Sequence, residues 1–360
     1  MHFCRISVLS FTKKNKILEP IFIYCNSSHF LNMIPKTTII ITIYNSAKFI
    51  ETCARSLFEQ TLDRLEYIFV NDATPDNSIQ ILNDVIYDYP HRKSGIKILN
   101  LEKNGGVSNA RRIGIENATG EYVIHTDSDD WVDYNMYERL YHKAKETDAD
   151  IVGCNFRHEF TDNQYDFHQQ YADTMEENIR RLINGKIFPS LCTSLTRRSL
   201  ITDNNVTFPI GKNMGEDLFF NLQLYLHANK IVSMDWAPYH YRHTEDSSCV
   251  QRTRKSIDSD IAIAGLIESF MKKHGLYNKY ATDIEYRKFF SKLPLIHNLD
   301  DKELYKEWLN TYPETNHHIW QYDQMDWKQM LELWLAANNM LLVAKGFKQL
   351  LSLQHRLRHL

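Results

Sequence analysis

No apolar run in this sequence approaches the roughly 20 residues that a bilayer-spanning helix needs, so a transmembrane anchor is not expected. A formal net charge of only −3 leaves no global basic field and argues against nucleic acid as a partner. Cys4, Cys25, Cys53, Cys154, Cys192 and Cys249 are scattered without a Cys-x-x-Cys pair, which fits reduced thiols in a cytoplasmic protein rather than a disulfide frame or a zinc site. The histidines, His317 and His318 included, lack His-Glu-x-x-His spacing, and neither a Walker lysine nor Gly-x-Gly-x-x-Gly is present. Internal repeats and low-complexity linkers are absent as well. What is there is 43% hydrophobic and 12% aromatic over 360 residues, ample for the core of one large or two medium domains.

Recognisable patterning starts after Met33. Met1 to Phe30 has apolar patches broken by Lys13, Lys14 and Lys16, without a signal peptide's order of charge, apolar core and small-residue cleavage site. Residues 1–35 are therefore expected to be a start-site artefact or a loosely attached arm. Thr38 to Ile43 is a continuous β-branched run of the kind buried on both faces of a parallel sheet. A helix from about Lys48 to Gln60 and a second strand from Leu65 to Val70 follow. Thr74-Pro75-Asp76-Asn77 then offers Thr74 as N-cap and Pro75 as first helical residue of a helix reaching Tyr87. Ile96 to Leu101 reads as a third strand, Asn104-Gly105-Gly106 as a tight turn, and Val107 to Ala118 as a helix. Strands alternating with helices of this length predict right-handed β-α-β units on a mainly parallel sheet, continued by a fifth strand from Ile151 to Phe156.

The fourth strand leads into the stretch on which the functional reading turns, Tyr122-Val123-Ile124-His125-Thr126-Asp127-Ser128-Asp129-Asp130-Trp131. An apolar β-prone run ends in three carboxylates, and Asn135 to Thr147 then reads as an amphipathic helix. Asp127, Asp129 and Asp130 thus fall at a strand's C-terminal end, where open parallel sheets bind ligands. Like charges so close are costly unless a positive charge is shared among them. A hard cation, Mg²⁺ or Mn²⁺, prefers such oxygen ligands and keeps positions open for phosphate. The alternative is a solvated acidic loop beside a helix N-terminus, where Asp is favoured anyway.

Beyond Phe156 the pattern loosens. A helix is expected near Thr174 to Asn184, strands over Phe188 to Thr196 and Val206 to Pro209, a helix from Leu218 to His227, and two short strands, Lys230 to Met234 and Tyr239 to Arg242. After Arg252 the periodicity is helical.

Four segments in order resemble the family 2 glycosyltransferases of the GT-A fold, inverting enzymes that use nucleotide-diphospho-sugars. Ile41-Thr42-Ile43-Tyr44-Asn45 resembles that family's opening strand and turn, and Val70-Asn71-Asp72-Ala73-Thr74-Pro75-Asp76-Asn77-Ser78 its base-binding loop. Asn104-Gly105-Gly106-Val107-Ser108-Asn109-Ala110-Arg111 resembles its Gly-rich helix start, and Ala118 through Val132 its acidic segment. This sequence departs from the pattern at Thr42 for Pro, Asn71 for Asp, Ala73-Thr74 for Gly-Ser and Arg112 for Asn.

The resemblance implies an α/β GT-A-type fold, a mostly parallel sheet flanked by helices. Residues 36–156 would be its nucleotide-sugar-binding half, 157–250 its acceptor-side half and 251–360 a helical C-terminal region. It implies that Asp72 meets the base beside Ile43, Tyr44 and Asn45, that Gly106, Ser108 and Arg111 meet phosphate or ribose, and that Asp127, Ser128 and Asp129 hold donor and metal. A capping or turn role for Asp72 and a surface ion pair for Arg111 are the alternatives. Asn213-Met214-Gly215-Glu216-Asp217 resembles the family's Glu-Asp motif, making Asp217 the candidate base and Glu216 its orienting or acceptor-binding neighbour; ordinary first-turn acids would look the same. Tyr239-His240-Tyr241-Arg242 can supply stacking and cationic contacts to sugar and phosphate, or be core residues of a strand.

The implied activity is metal-dependent transfer of a sugar from a nucleoside diphosphate, UDP in the first instance, to a hydroxyl of a glycan or lipid-linked oligosaccharide during cell-surface polysaccharide synthesis. A nucleotidyltransferase on a similar scaffold and a non-catalytic nucleotide-sugar-binding protein are the rivals. Trp308, Trp320, Trp327 and Trp334 are read as packing the helical tail, with sugar stacking as the other option. Met340 to Leu360 combines leucines with Lys345, Lys348, Arg356 and Arg358. It can lie on an anionic membrane surface, the inner face of the cytoplasmic membrane, or pack on the preceding helices.

Overall fold

The computed structural model describes residues 34–243, 253–297, 299–322 and 325–358. The expectation for residues 1–35 falls almost entirely outside them. In chain order the elements are β1 (Thr37–Ile43), α1 (Ile50–Phe58), β2 (Leu65–Asn71), α2 (Ser78–Asp88), β3 (Ile96–Asn100), α3 (Val107–Asn117), β4 (Tyr122–Asp127), β5 (Trp131–Val132), α4 (Met136–Thr147), β6 (Ile151–Glu159) and β7 (Gln164–Phe167). There follow α5 (Met175–Ile183), β8 (Ser194–Arg197), α6 (Arg198–Asp203), α7 (Glu216–His227), β9 (Ile231–Arg242), α8 (Arg254–Lys273), α9 (Tyr277–Lys292), α10 (Lys302–Asn310), α11 (Trp327–Ala337) and α12 (Leu341–Arg358).

One sheet runs in the order β3-β2-β1-β4-β8-β6-β9-β5, with β7 paired to β6. Strands β3, β2, β1 and β4 are parallel, and β8 inserts antiparallel between β4 and β6. The β-branched run of β1 serves both faces. Ile39, Ile41 and Ile43 join a core with α1, α2 and α4, while Ile40 joins the opposite core with α3, α5, α7 and α8. A third core, around the fully buried Trp308, belongs to α9 through α12, so that tryptophan packs the tail as expected.

Four local expectations are corrected. Thr74 does not cap α2, which starts at Ser78; Asp76 instead accepts from the Ser78 N–H (3.1 Å) and the Ala47 N–H (2.9 Å), and Thr74 Oγ1 accepts from the Asn45 N–H (2.8 Å). The strand expected over Phe188 to Thr196 shrinks to β8, and Val206 to Pro209 is no strand. There the Gln223 side chain on α7 takes the hydrogen bonds of Thr207, N–H at 3.4 Å and C=O at 2.9 Å, that a neighbouring strand would have supplied. The two short strands near 230–242 are a single β9 that contains Pro238, with an irregularity in its pairing where Cys154 gives way to Phe156.

Gly114 sets how close α3 comes to β1, since a Cβ there would lie 2.3 Å from Cγ2 of Ile40. Gly114→Ala gains about 1 kcal/mol of helix propensity. Against that, Ile40 is β-branched and rotates little, and overpacking costs about 1–3 kcal/mol. A lower melting temperature is therefore expected from Gly114→Ala; a higher one would show that α3 and β1 are not in contact.

Candidate active site

Strand register brings the candidate residues to one edge of the sheet. Ile43 pairs with Asn71 across β1 and β2, and Thr42 with Asp127 across β1 and β4. Asp72 and Asp127 therefore flank the end of β1, about 10 Å apart at two strand spacings. The Asp72 N–H donates to the Ile43 carbonyl at 3.0 Å. Tyr44 is exposed beside it, and Asn45 turns the chain at φ 55°, a conformation asparagine tolerates. The hydroxyls of Ser46 and Ser128 lie 2.6 Å apart and join this turn to the acidic stretch.

Asp72 is buried, and both carboxylate oxygens are engaged by the Gly-rich loop: Oδ1 accepts from the Gly105 N–H (2.7 Å) and Oδ2 from the Gly106 N–H (2.9 Å). These amides, which the sequence suggests for a bound anion, are thus held by a carboxylate of the chain itself. Gly106 has φ +82°, and a Cβ on it would come 2.6 Å from Oδ1 of Asn213, so the position admits only glycine. The Ser108 hydroxyl donates to the Lys212 carbonyl, which lays the segment before α7 across the start of α3.

Arg111 on α3 is buried and forked between two elements. Nη1 donates to Glu216 Oε1 at 2.7 Å, and Nη2 to Asp127 Oδ1 at 3.0 Å. Burial works against its charge, but the Asp127 and Glu216 carboxylates more than offset this and hold its pKa above the usual range. His125, on the same face of β4 as Asp127, is buried with neither ring nitrogen hydrogen-bonded among the described residues. Burial, then the nearby Arg111, keeps it neutral.

The remaining carboxylates have too little positive charge for their number. Burial and then Asp127 push Asp129 up to about 6. Burial, with Asp129 and Asp127 beside it, raises Asp130 further, although Tyr239 Oη donates to it at 2.5 Å and the Arg242 N–H at 2.8 Å. Burial and the adjacent Glu216 push Asp217 up to about 7, while the Leu218 N–H fixes its Oδ1 at 2.7 Å. Asp127 stays 35% exposed on its side chain. Among the described residues no three His, Cys, Asp or Glu side chains gather in metal-holding geometry. Asp127 and Asp129 offer two ligands at most, which suits a cation that keeps positions for phosphate oxygens.

Arg242 joins this group: its Nε donates to the Asp129 carbonyl at 2.9 Å, and its guanidinium lies over the rings of Trp131 (4.5 Å) and Phe49 (5.2 Å). Tyr241 does not accompany it there and packs among the rings of His243 (4.8 Å), His158 (5.8 Å) and Phe156 (6.3 Å). Tyr239 and His240, read from the sequence with Tyr241 and Arg242 as sugar and phosphate contacts or strand core, both reach these carboxylates or their neighbours: the Tyr239 hydroxyl also receives the Asp127 N–H (3.3 Å), and His240 stacks on Trp131 and bonds Glu159 at 2.7 Å. Both sit in a strand whose aromatic residues read equally as core, so the sequence left the two roles open. Asn213 was visible only as part of the motif before Glu216.

A doubly wound sheet with this carboxylate-lined edge is a GT-A-type transferase architecture. Residues 38–203 match the family described as Glycosyl transferase family 2, and the chain belongs to that family. It is 31% identical over 259 residues to the putative glycosyltransferase EpsH of Bacillus subtilis (strain 168), covering 70% of this chain and 73% of that protein. It is 32% identical over 255 residues to the uncharacterized glycosyltransferase EpsJ of the same strain, covering 69% and 71%. Among solved structures, S. aureus TarS 1-349 in complex with UDP-GlcNAc shares the fold, with a TM-score of 0.67 at 21% identity over 87% of this chain and 92% of that one.

The raised pKa of Asp129 gives a signed prediction. An acid at about 6 folded, against about 3.9 unfolded, holds its proton more tightly in the native state, so that contribution to stability is present below about pH 4 and is lost as pH rises through 6. In metal-free buffer the melting temperature of Asp129→Asn, relative to the parent, should rise between about pH 4 and pH 7. Mn²⁺ should then stabilise the parent more than the variant. A relative melting temperature that stays constant with pH would contradict the charge crowding.

Proposed function

We propose that this protein is a metal-dependent, inverting glycosyltransferase that moves a sugar from a nucleoside diphosphate, UDP in our reading, to a hydroxyl of a glycan or lipid-linked oligosaccharide. The observation that carries the proposal is the Arg111 fork, which ties the donor-side Asp127 and the acceptor-side Glu216-Asp217 into one crevice. The uridine nucleotide is supported by the fold neighbour TarS, solved in complex with UDP-GlcNAc. Cell-surface polysaccharide synthesis at the inner face of the cytoplasmic membrane is the setting this reading implies.

In this reading residues 36–156 receive the donor, with the base between Tyr44 and the Asp72 loop. Asp72 holds the Gly105-Gly106 turn against β2, so that Ser108 and the start of α3 face the phosphates, and Asn45 and Ser128 shape the wall between them. Asp127 and Asp129 would hold Mn²⁺ or Mg²⁺, whose charge neutralises the departing diphosphate. Arg242, stacked on Trp131, sets a fixed cation beside the same carboxylates. The acceptor hydroxyl approaches from residues 157–250, and Asp217 takes its proton as it attacks the anomeric carbon opposite the diphosphate. A pKa of about 7 suits that role, because a base works best when its pKa is near the working pH. Glu216, spent on Arg111, orients α7 rather than carrying the proton.

The test is release of UDP from UDP-sugars in the presence of Mn²⁺. Asp217→Asn should leave UDP-sugar affinity within experimental error of the parent and slow transfer by roughly 10²–10⁴-fold. An unchanged turnover number in that variant would place the base elsewhere, and full activity in EDTA would remove the cation from the reading.

A further inference from the structure

The last two helices turn an apolar face outward as well as inward. In α11, Leu333 and Ala336 are buried and Leu331 packs on the same core, while Trp327 and Trp334 face outward, and Trp327 is 59% exposed. In α12, which packs against α11, Ala344 is buried and Phe347 half-buried, whereas Leu342, Val343 and Leu350 point away. Leu342 is 82% and Leu350 63% exposed. Exposed leucines and tryptophans concentrated on the outer side of two adjoining helices are not what a solvated surface selects.

The charge of the same segment says what covers them. From Trp327 to the end, the chain carries Lys328, Lys345, Lys348, Arg356 and Arg358 against the single acid Glu332, in a protein whose overall formal charge is −3. Lys345 is paired with Asp300 and Lys348 with Glu332, yet after Glu332 no acidic residue occurs at all. A second copy of this chain would bring the same basic segment against itself. An anionic lipid surface meets both the apolar stripe and the positive charge. No helix of the described residues is long and apolar enough to cross a membrane, so contact would be in the plane of the interface.

We propose that α11 and α12 form a docking face for an anionic phospholipid surface, with Trp327, Leu342 and Leu350 entering the interfacial layer. Amphipathic tryptophans and basic side chains suit that layer, where an apolar body is buried and a polar end stays wet. The inference does not rest on the transfer chemistry, since it is read without any sugar nucleotide.

Co-sedimentation of the full chain with phosphatidylcholine vesicles, with and without phosphatidylglycerol, tests it. The protein should pellet with the phosphatidylglycerol vesicles, less so at high salt, and remain in solution with phosphatidylcholine alone. Leu342→Glu and Leu350→Glu should each lower the partition coefficient by about tenfold or more while melting temperature and oligomeric state stay at parental values. A parent that does not pellet, or variants that pellet as it does, would overturn the proposal. So would variants that turn a dimer into a monomer in light scattering without any change at vesicles, which would give the face to a second copy.

Discussion

One guanidinium holds this crevice together. Arg111 lies on the helix that follows the Gly-rich turn, and its two terminal nitrogens reach the end of β4 and the start of α7. A planar fork with fixed donors can do this, and a lysine at the same place could meet only one partner at a time. Because the group is buried, its two carboxylates are held by charge as well as by direction. Removing Arg111 would leave the buried Glu216 carboxylate uncompensated, a change that typically costs about 3–5 kcal/mol.

The carboxylates around that fork outnumber the cations near them. Asp129 and Asp217 are pushed up to about 6 and about 7, and Asp130 is raised as well, in each case with burial as the largest cause. The crevice is therefore costly in the absence of positive charge, and under the proposed function a divalent ion arriving with a diphosphate would relieve that cost. The two uses of acid are kept apart in space. Asp127 and Asp129 sit at the end of a strand, and Asp217 at the N-terminus of a helix, with Arg111 and Glu216 between them.

The fold of the proposed donor half was legible because its signals are local. The β-branched run of β1, the Gly105-Gly106 turn and the three carboxylates after β4 each fix backbone and chemistry within a few residues, and strand order then brings Asp72 and Asp127 to one edge. The acceptor half was less so. Val206 to Pro209 reads as a strand, but its hydrogen bonds go to Gln223, a partner that no local pattern announces. Tyr239 looks like any buried tyrosine until its hydroxyl is found between Asp130 and the Asp127 amide. Asp72 was read for a base, whereas its carboxylate accepts from two glycine amides of the loop beside it.

Under the proposed function the ends of β2 and β4 and the start of α7 form one nucleotide-sugar site. A crystal of the full chain grown with UDP and Mn²⁺, with diffraction recorded at the manganese absorption edge, tests this most directly. The anomalous peak should lie within coordination distance of Asp127 and Asp129, with the uracil against the Asp72 loop and Asp217 facing the phosphate end. Manganese bound elsewhere, or a nucleotide seated away from Asp72 and Arg111, would contradict it.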